Sequence, residues 1–239
     1  MKKSLPRRRT EDRERARKKI LAAATHLFAE RGLEDVTYGD IAKSSGLSRP
    51  LVYFYFPDQE SLIQETFLTA CQRLQERFVF VAAQAASGAE SLMGIGRAYL
   101  HFHDDCPDEA RLMLLEGAHC PPVQGSPSIM DGLGKSIRGR ICGDVAEALE
   151  AGSITAQLLE QKRAIIALVA SEVERGRRDG SVRKDGASAT VIALNLWAFT
   201  HGLVGLRGQL GAALDDIHGV SMADFLNHGF QLIHDALAP

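Results

Sequence analysis

The residues best placed for chemistry lie between positions 37 and 59. Ser48 and Arg49 open a short run, RPLVYFYF, in which Tyr53, Phe54 and Tyr55 follow. Short polar and basic groups at a helix N-terminus suit phosphate oxygens and base edges, because the helix points its own backbone amides the same way. Arg49 carries a second signal. A cation in the first turn opposes the helix dipole, so its presence calls for another partner. Nearby phenol hydroxyls can donate to phosphate while the rings brace a groove wall.

Other clusters are weaker. His101, His103, Asp104, Asp105 and Cys106 crowd into YLHFHDDC. Residues two apart on a helix face away from each other, so His101 and His103 do not share an ion. His101 with Asp105 supplies two ligands, where zinc wants at least three from protein, and no metal is expected. GLGKS (132–136) echoes a phosphate loop, but the first glycine would fall at Ile129 and no strand precedes it. Neither GxSxG nor HExxH is present. No catalytic residue, no cofactor and no enzyme activity are expected. Cys71, Cys106, Cys120 and Cys142 show no CxxC spacing and read as small buried apolar residues of a reducing compartment. The start, MKKSLPRRRTEDRER, lacks the apolar stretch of a signal peptide, which points to the cytoplasm.

The elements that hold these residues are helical. Ile20, Ala23, Ala24, Leu27 and Phe28 recur at helical spacing over 10–31, with Thr10 as a candidate cap and Gly32 as a stop. Thr37 precedes YGDIAKSS with Asp40 three residues on, in the place of a capping box. Ser45-Gly46-Leu47 makes a tight turn, Ser48 caps the next helix, and Pro50 sits in its tolerated first turn. A long helix over about 58–86 comes next. Further helices are expected over 89–105, 108–118, 135–150, 155–178, 187–208 and 221–237, with loops at 119–134 and 178–186. Two short helices joined by a glycine turn behind a supporting helix form a helix-turn-helix, whose second helix fits the major groove.

Composition agrees with this division of labour. The chain has 239 residues, 45% apolar and 24% charged, which excludes collagen, low-complexity disorder and disulfide miniproteins. Residues 1–20 hold ten basic groups against three acids, whereas residues 61–239 carry a net charge of −6. A basic head on an acidic body suggests that only the head meets a polyanion. The extreme tail, KKSLPRRR, reads as disordered without DNA.

The stretch ILAAATHLFAERGLEDVTYGDIAKSSGLSRPLVYFYFPDQESL resembles the TetR family of transcriptional regulators. The blocks ILxAAxxLFxERG, T…IAxxxGxS and LxYxxFxxxxxL are met in order over about 50 residues. The resemblance implies an all-α fold: an N-terminal helix-turn-helix DNA-binding domain (1–57) and a larger helical effector-binding and dimerisation domain (58–239). It implies a role for each matching position. Thr37 caps the second helix and bonds a phosphate, with Tyr38 beside it. Ser48, Arg49 and Pro50 lie where the recognition helix meets bases and backbone. Tyr53 takes the place of a phosphate-binding tyrosine, Phe54 and Tyr55 fill two variable places, and Phe56 packs in the core. Gln59 departs from the family's usual lysine, which weakens a phosphate contact there. Pro50 stands where glycine is common.

The body is expected to sense a small molecule. Phe102, Met113, His119, Trp197 and His201 are candidate lining residues for an apolar pocket between helices. Residues 187–206 carry no formal charge and are long enough to cross a bilayer, yet Ser188, Thr190, Asn195, Thr200 and His201 are spread along them. A helix covered on two faces explains them better, and no membrane association is expected. One stripe holds Val191, Asn195, Ala198, Phe199, Gly202 and Leu206. The opposite one holds Ala193, Trp197, Thr200 and Val204. One stripe can face the chain's own core and the other a second subunit. The expected function is that of a repressor, binding a near-palindromic operator as a homodimer and released by an effector that tilts the long helix.

Overall fold

The computed structural model describes residues 5–119, 154–184, 186–211 and 213–239, the side chains of 5–10, 115–119 and 155 apart. Regular structure among the described residues is entirely helical. Its elements are α1 (Leu5–Arg31), α2 (Tyr38–Ser45), α3 (Arg49–Tyr55), α4 (Gln59–Gln84), α5 (Gly88–Asp105), α6 (Pro107–His119), α7 (Ile154–Asp179), α8 (Ala189–Leu210), α9 (Ala213–His218) and α10 (Met222–Leu237). Residues 120–134 of the expected loop and the expected helix at 135–150, with Cys120 and Cys142, lie outside the described residues, while His119 ends α6.

Two compact units part at Cys71/Gln72, at Asp105/Cys106 and at Gln161/Lys162. The expected limit at 57–58 therefore falls inside the first unit, which among the described residues holds 5–71, 106–119 and 154–161. Here α1 packs against α2 and α6, and α2 against α3. Ile20, Ala24 and Phe28 of α1 share a fully buried core with Ile41, Val52, Leu62 and Phe67. Burying each large aliphatic or aromatic side chain contributes about 1.5–3 kcal/mol.

The first helix starts five residues before the expected cap. It begins at Leu5, with Pro6 in the first turn, so Thr10 and part of the basic tail are helical. Proline costs nothing there, because the first-turn amides lack intrahelical partners anyway. The arginine- and glutamate-rich stretch that follows has high helix propensity and opposite charges at i, i+4 spacing.

The second unit holds residues 72–105 and 162–239. Its tightest point is the crossing of Gly88 and Gly176, where a Cβ on Gly88 would lie 2.1 Å from the Gly176 nitrogen. Only glycine lets two backbones approach so closely. Polar bonds lock the crossing. Arg175 donates to the carbonyls of Ala82 (3.2 Å) and Ala85 (2.6 Å). Asp179 accepts from the Gly88 amide (2.8 Å) and Ser181 from the Ala89 amide (3.0 Å), capping α5 from a distant segment. Bonds donated to Asp179 by Ser181 and by the Gly88 amide hold its carboxyl below its ordinary pKa.

Helix α8 packs against α5 and α10. Ala193, Thr200 and Val204 are buried as the inward stripe, while Val191, Asn195, Ala198, Phe199, Gly202 and Leu206 are all exposed. Trp197 departs from its stripe and is 52% exposed. Among the described helices α8 alone is long and apolar enough to cross a bilayer by length and composition. The short helix α9 had no counterpart in the sequence reading, since six residues are too few to show a period.

Candidate functional site

The polar face of the first unit is built by local bonding. Thr37 adopts an extended backbone (φ −101°, ψ 159°) and caps α2. Its hydroxyl donates to Asp40 Oδ2 (2.5 Å) and accepts from the Asp40 amide (3.3 Å), while the Thr37 amide donates to the same carboxylate (3.0 Å). Bonding from Thr37 holds the Asp40 carboxyl below its ordinary pKa, helped by Arg31. Gly46 closes α2 with φ 69°, a left-handed conformation that favours glycine, and its amide donates back to the carbonyls of Ala42 and Lys43.

That turn delivers α3. Ser48 caps it with its backbone alone, its hydroxyl making no capping bond. Ser48, Arg49 and Pro50 are exposed together at the start of the helix. One turn on, Arg49 Nη2 lies 3.4 Å from the Tyr53 hydroxyl, and the guanidinium sits 5.6 Å over the Tyr53 ring. Tyr53 and Phe54 are exposed, Phe54 by 66%. Tyr55 is half-buried and meets Phe54 edge-on at 5.3 Å. The result is an outward face carrying one cation, two hydroxyl side chains and a bare aromatic ring.

Two site residues point elsewhere than expected. Tyr38 is buried, and its hydroxyl donates to the Phe56 carbonyl (2.8 Å). Burial, with Asp58 and Tyr53 nearby, pushes its pKa up to about 12. Its ring packs against Tyr53 at 4.4 Å, tilted by 54°, so it supports that residue rather than presenting its own hydroxyl outward. Gln59 donates its side-chain amide to the carbonyls of Leu33 (3.0 Å) and Val36 (3.2 Å), tying the start of α4 to the segment before α2. Arg17, which the sequence reading passed over, lies 5.5 Å over the Phe56 ring and pairs with Glu65. No sequence signal marks it, because its partners lie far along the chain.

The second unit contains an apolar cavity of about 40 Å³. Met93, Tyr99, Ile166, Trp197, Thr200 and Phe230 are among its walls. Tyr99 and His201 meet through a 2.8 Å bond between the hydroxyl and Nδ1, and the Trp197 ring lies 5.6 Å from His201. His103 packs edge-on against Tyr99 at 4.9 Å, and its Nε2 is buried with no bonding partner among the described residues. Burial, then Arg207 and His201, lower its pKa to about 4. Burial also lowers that of His201. Of the candidate lining residues, Trp197 faces this cavity and His201 stands behind it. Phe102 is fully buried under Arg77 instead, and Met113 lies on α6 in the first unit. The side chain of His119 lies outside the described residues. Tyr99, which the sequence reading did not single out, is the polar residue of the wall nearest both histidines.

Residues 20–66 match the family model described as bacterial regulatory proteins, tetR family. The chain is 48% identical to the transcriptional regulator EthR of Mycobacterium tuberculosis over 66 residues, a quarter of this chain and 29% of the length of that relative. Similarity of fold extends much further. A choline-bound structure from Saccharomonospora viridis, described as a candidate transcriptional regulator, superposes with TM-score 0.66 at 20% identity, covering 94% of this chain and 98% of that one. The transcriptional regulator FadR of Bacillus subtilis, in complex with stearoyl-CoA, gives 0.63 at 13% identity, with 92% and 99% covered. The N-terminal blocks thus match the TetR family of transcriptional regulators over residues 20–66, and the helical fold is shared nearly end to end with these solved structures.

Proposed function

We propose that this protein is a ligand-responsive repressor that binds a near-palindromic duplex as a homodimer in the cytoplasm. The observation that carries the reading is the outward face of α3. Ser48, Arg49, Tyr53 and Phe54 stand exposed on one short helix, held from behind by Tyr38 and the capped α2. A helix in the major groove meets base edges with its first turns and phosphates with its flanks. Arg49 is the base reader, Tyr53 the phosphate donor, Phe54 the apolar contact, and Thr37 marks the second phosphate position at the start of α2.

The exposed stripe of α8 supports the dimer. Val191, Phe199 and Leu206 lie open beside exposed Leu232 of α10, and a two-fold pair of such faces would cover all four. A two-fold protein then matches a two-fold site. The cavity of the second unit supports an effector site. Helix α4 runs unbroken from Gln59 to Gln84, with its first turns in one unit and its last in the other, and is the element that would carry the signal. A coupling of about 1–3 kcal/mol between sites changes operator affinity by about 5–150-fold.

Selection of duplexes from random oligonucleotides tests the reading. It expects one enriched sequence with two inverted half-sites, footprinted by a species of twice the chain mass in sedimentation. A monomer at micromolar concentration, or a selected site without inverted symmetry, would contradict it.

A further inference from the structure

We infer that the cavity of the second unit takes an uncharged, largely apolar molecule with a single hydrogen-bonding group, which docks on the Tyr99–His201 pair. The inference rests on the effector reading above and names the class of effector.

The lining carries the argument. Among the described residues, no charged side chain faces the cavity. Tyr99, Thr200 and Trp197 are the lining residues whose side chains carry a polar atom. Thr200 donates its hydroxyl to the Leu196 carbonyl at 2.8 Å, so it is committed to its own helix. A carboxylate or an ammonium group entering here would shed its hydration and find no countercharge. A neutral group would find the Tyr99 hydroxyl with His201 Nδ1 behind it, 2.8 Å away. In one tautomer the phenol donates to the imidazole and its oxygen accepts from the ligand. In the other the imidazole donates to the phenol oxygen, and the phenol donates toward the cavity side. Burial keeps both His201 and the adjacent His103 below their ordinary pKa, so neither imidazole is charged at pH 7.

Size adds a mechanical condition. About 40 Å³ holds a water or two, well below the ~150 Å³ of a cavity that binds benzene. Occupation therefore requires wall side chains to move. Met93 is unbranched and half-buried, and Trp197 is 52% exposed, so these two can swing outward at least cost. Trp197 is also the only tryptophan of the chain, so its emission reports the event directly.

The test is a titration of the full chain with 1-octanol, octanoate and octyltrimethylammonium, followed by Trp197 emission. Octanol should bind saturably and at least about tenfold more tightly than either ion. Tyr99→Phe should weaken octanol by about tenfold, the worth of one hydrogen bond, and leave the ions as they were. Ile166→Phe, which narrows the cavity from a half-buried position, should weaken octanol through shape alone. Equal affinity for a charged probe, or octanol binding that ignores both substitutions, would overturn the inference. The titration contains no DNA. Loss of duplex binding would therefore overturn the regulator reading, and loss of the alcohol preference would overturn this one.

Discussion

In the first unit the informative polar groups face outward, and partners three or four residues away fix them. Thr37 with Asp40 and Arg49 with Tyr53 are the examples. In the second unit they turn inward, and their partners are about a hundred residues distant, as Arg175 is from Ala82 and Tyr99 from His201. The difference follows from the two tasks proposed for them. A polyanion is met at a surface, where a capped helix suffices to aim a few side chains. A small apolar molecule is met inside, where the walls must come from several helices at once.

The largest expected effect breaks the second unit alone. Gly88→Ala puts a methyl group against the Gly176 backbone, which cannot yield as a flexible side chain would. It should cost about 3 kcal/mol, the upper range for overpacking, and lower the urea midpoint accordingly. An unchanged midpoint would mean that the crossing is looser than described. Next comes the recognition helix. Arg49→Ala should weaken the selected duplex by about 1–3 kcal/mol and relax preference at one base position. Tyr53→Phe, by contrast, should weaken all duplexes about equally. A sequence-dependent loss for Tyr53→Phe would exchange the two roles. Thr37→Ala removes the hydroxyl arm of the capping box, leaving the backbone arm to Asp40, and should cost about 1 kcal/mol in thermal unfolding, with Thr37→Ser restoring it.

The smallest effect concerns pH. The His103 pKa is about 4 in the folded chain, below the ordinary 6.5, so the unfolded chain binds the proton more readily between these values. The contribution is intact above pH 6.5 and is lost as pH falls toward 4. Arg207 and His201 push the same way, and Asp104 opposes them. His103→Gln should flatten the fall of the urea midpoint between pH 7 and pH 5. An identical slope in the variant would show that His103 is not held neutral by its surroundings.

How far the sequence could be read follows the same division. The capping box at Thr37 and Asp40, the left-handed stop at Gly46 and the buried periodicity of α1 all act within a few residues, so they were visible without coordinates. The division of α8 into two stripes was visible for the same reason, but which stripe is buried was not, and Trp197 left its own. Tyr38 and Gln59 were not. Each looks like a surface residue from its neighbours, yet each bonds a carbonyl 18 to 26 residues away. Cavity walls were the least legible. Phe102 and Trp197 are both aromatic residues on apolar helices, and only packing shows that one lies under Arg77 and the other at the cavity. Tyr99 gained its importance from His201, a partner that no local pattern announces.

Fluorescence anisotropy of a labelled duplex carrying the selected sequence, titrated with the protein at rising salt, bears most directly on the central claim. We predict tight binding in dilute buffer, with log affinity falling linearly and steeply against log salt as phosphates release their counterions. Absence of binding to any duplex, even at the lowest salt, would contradict the account.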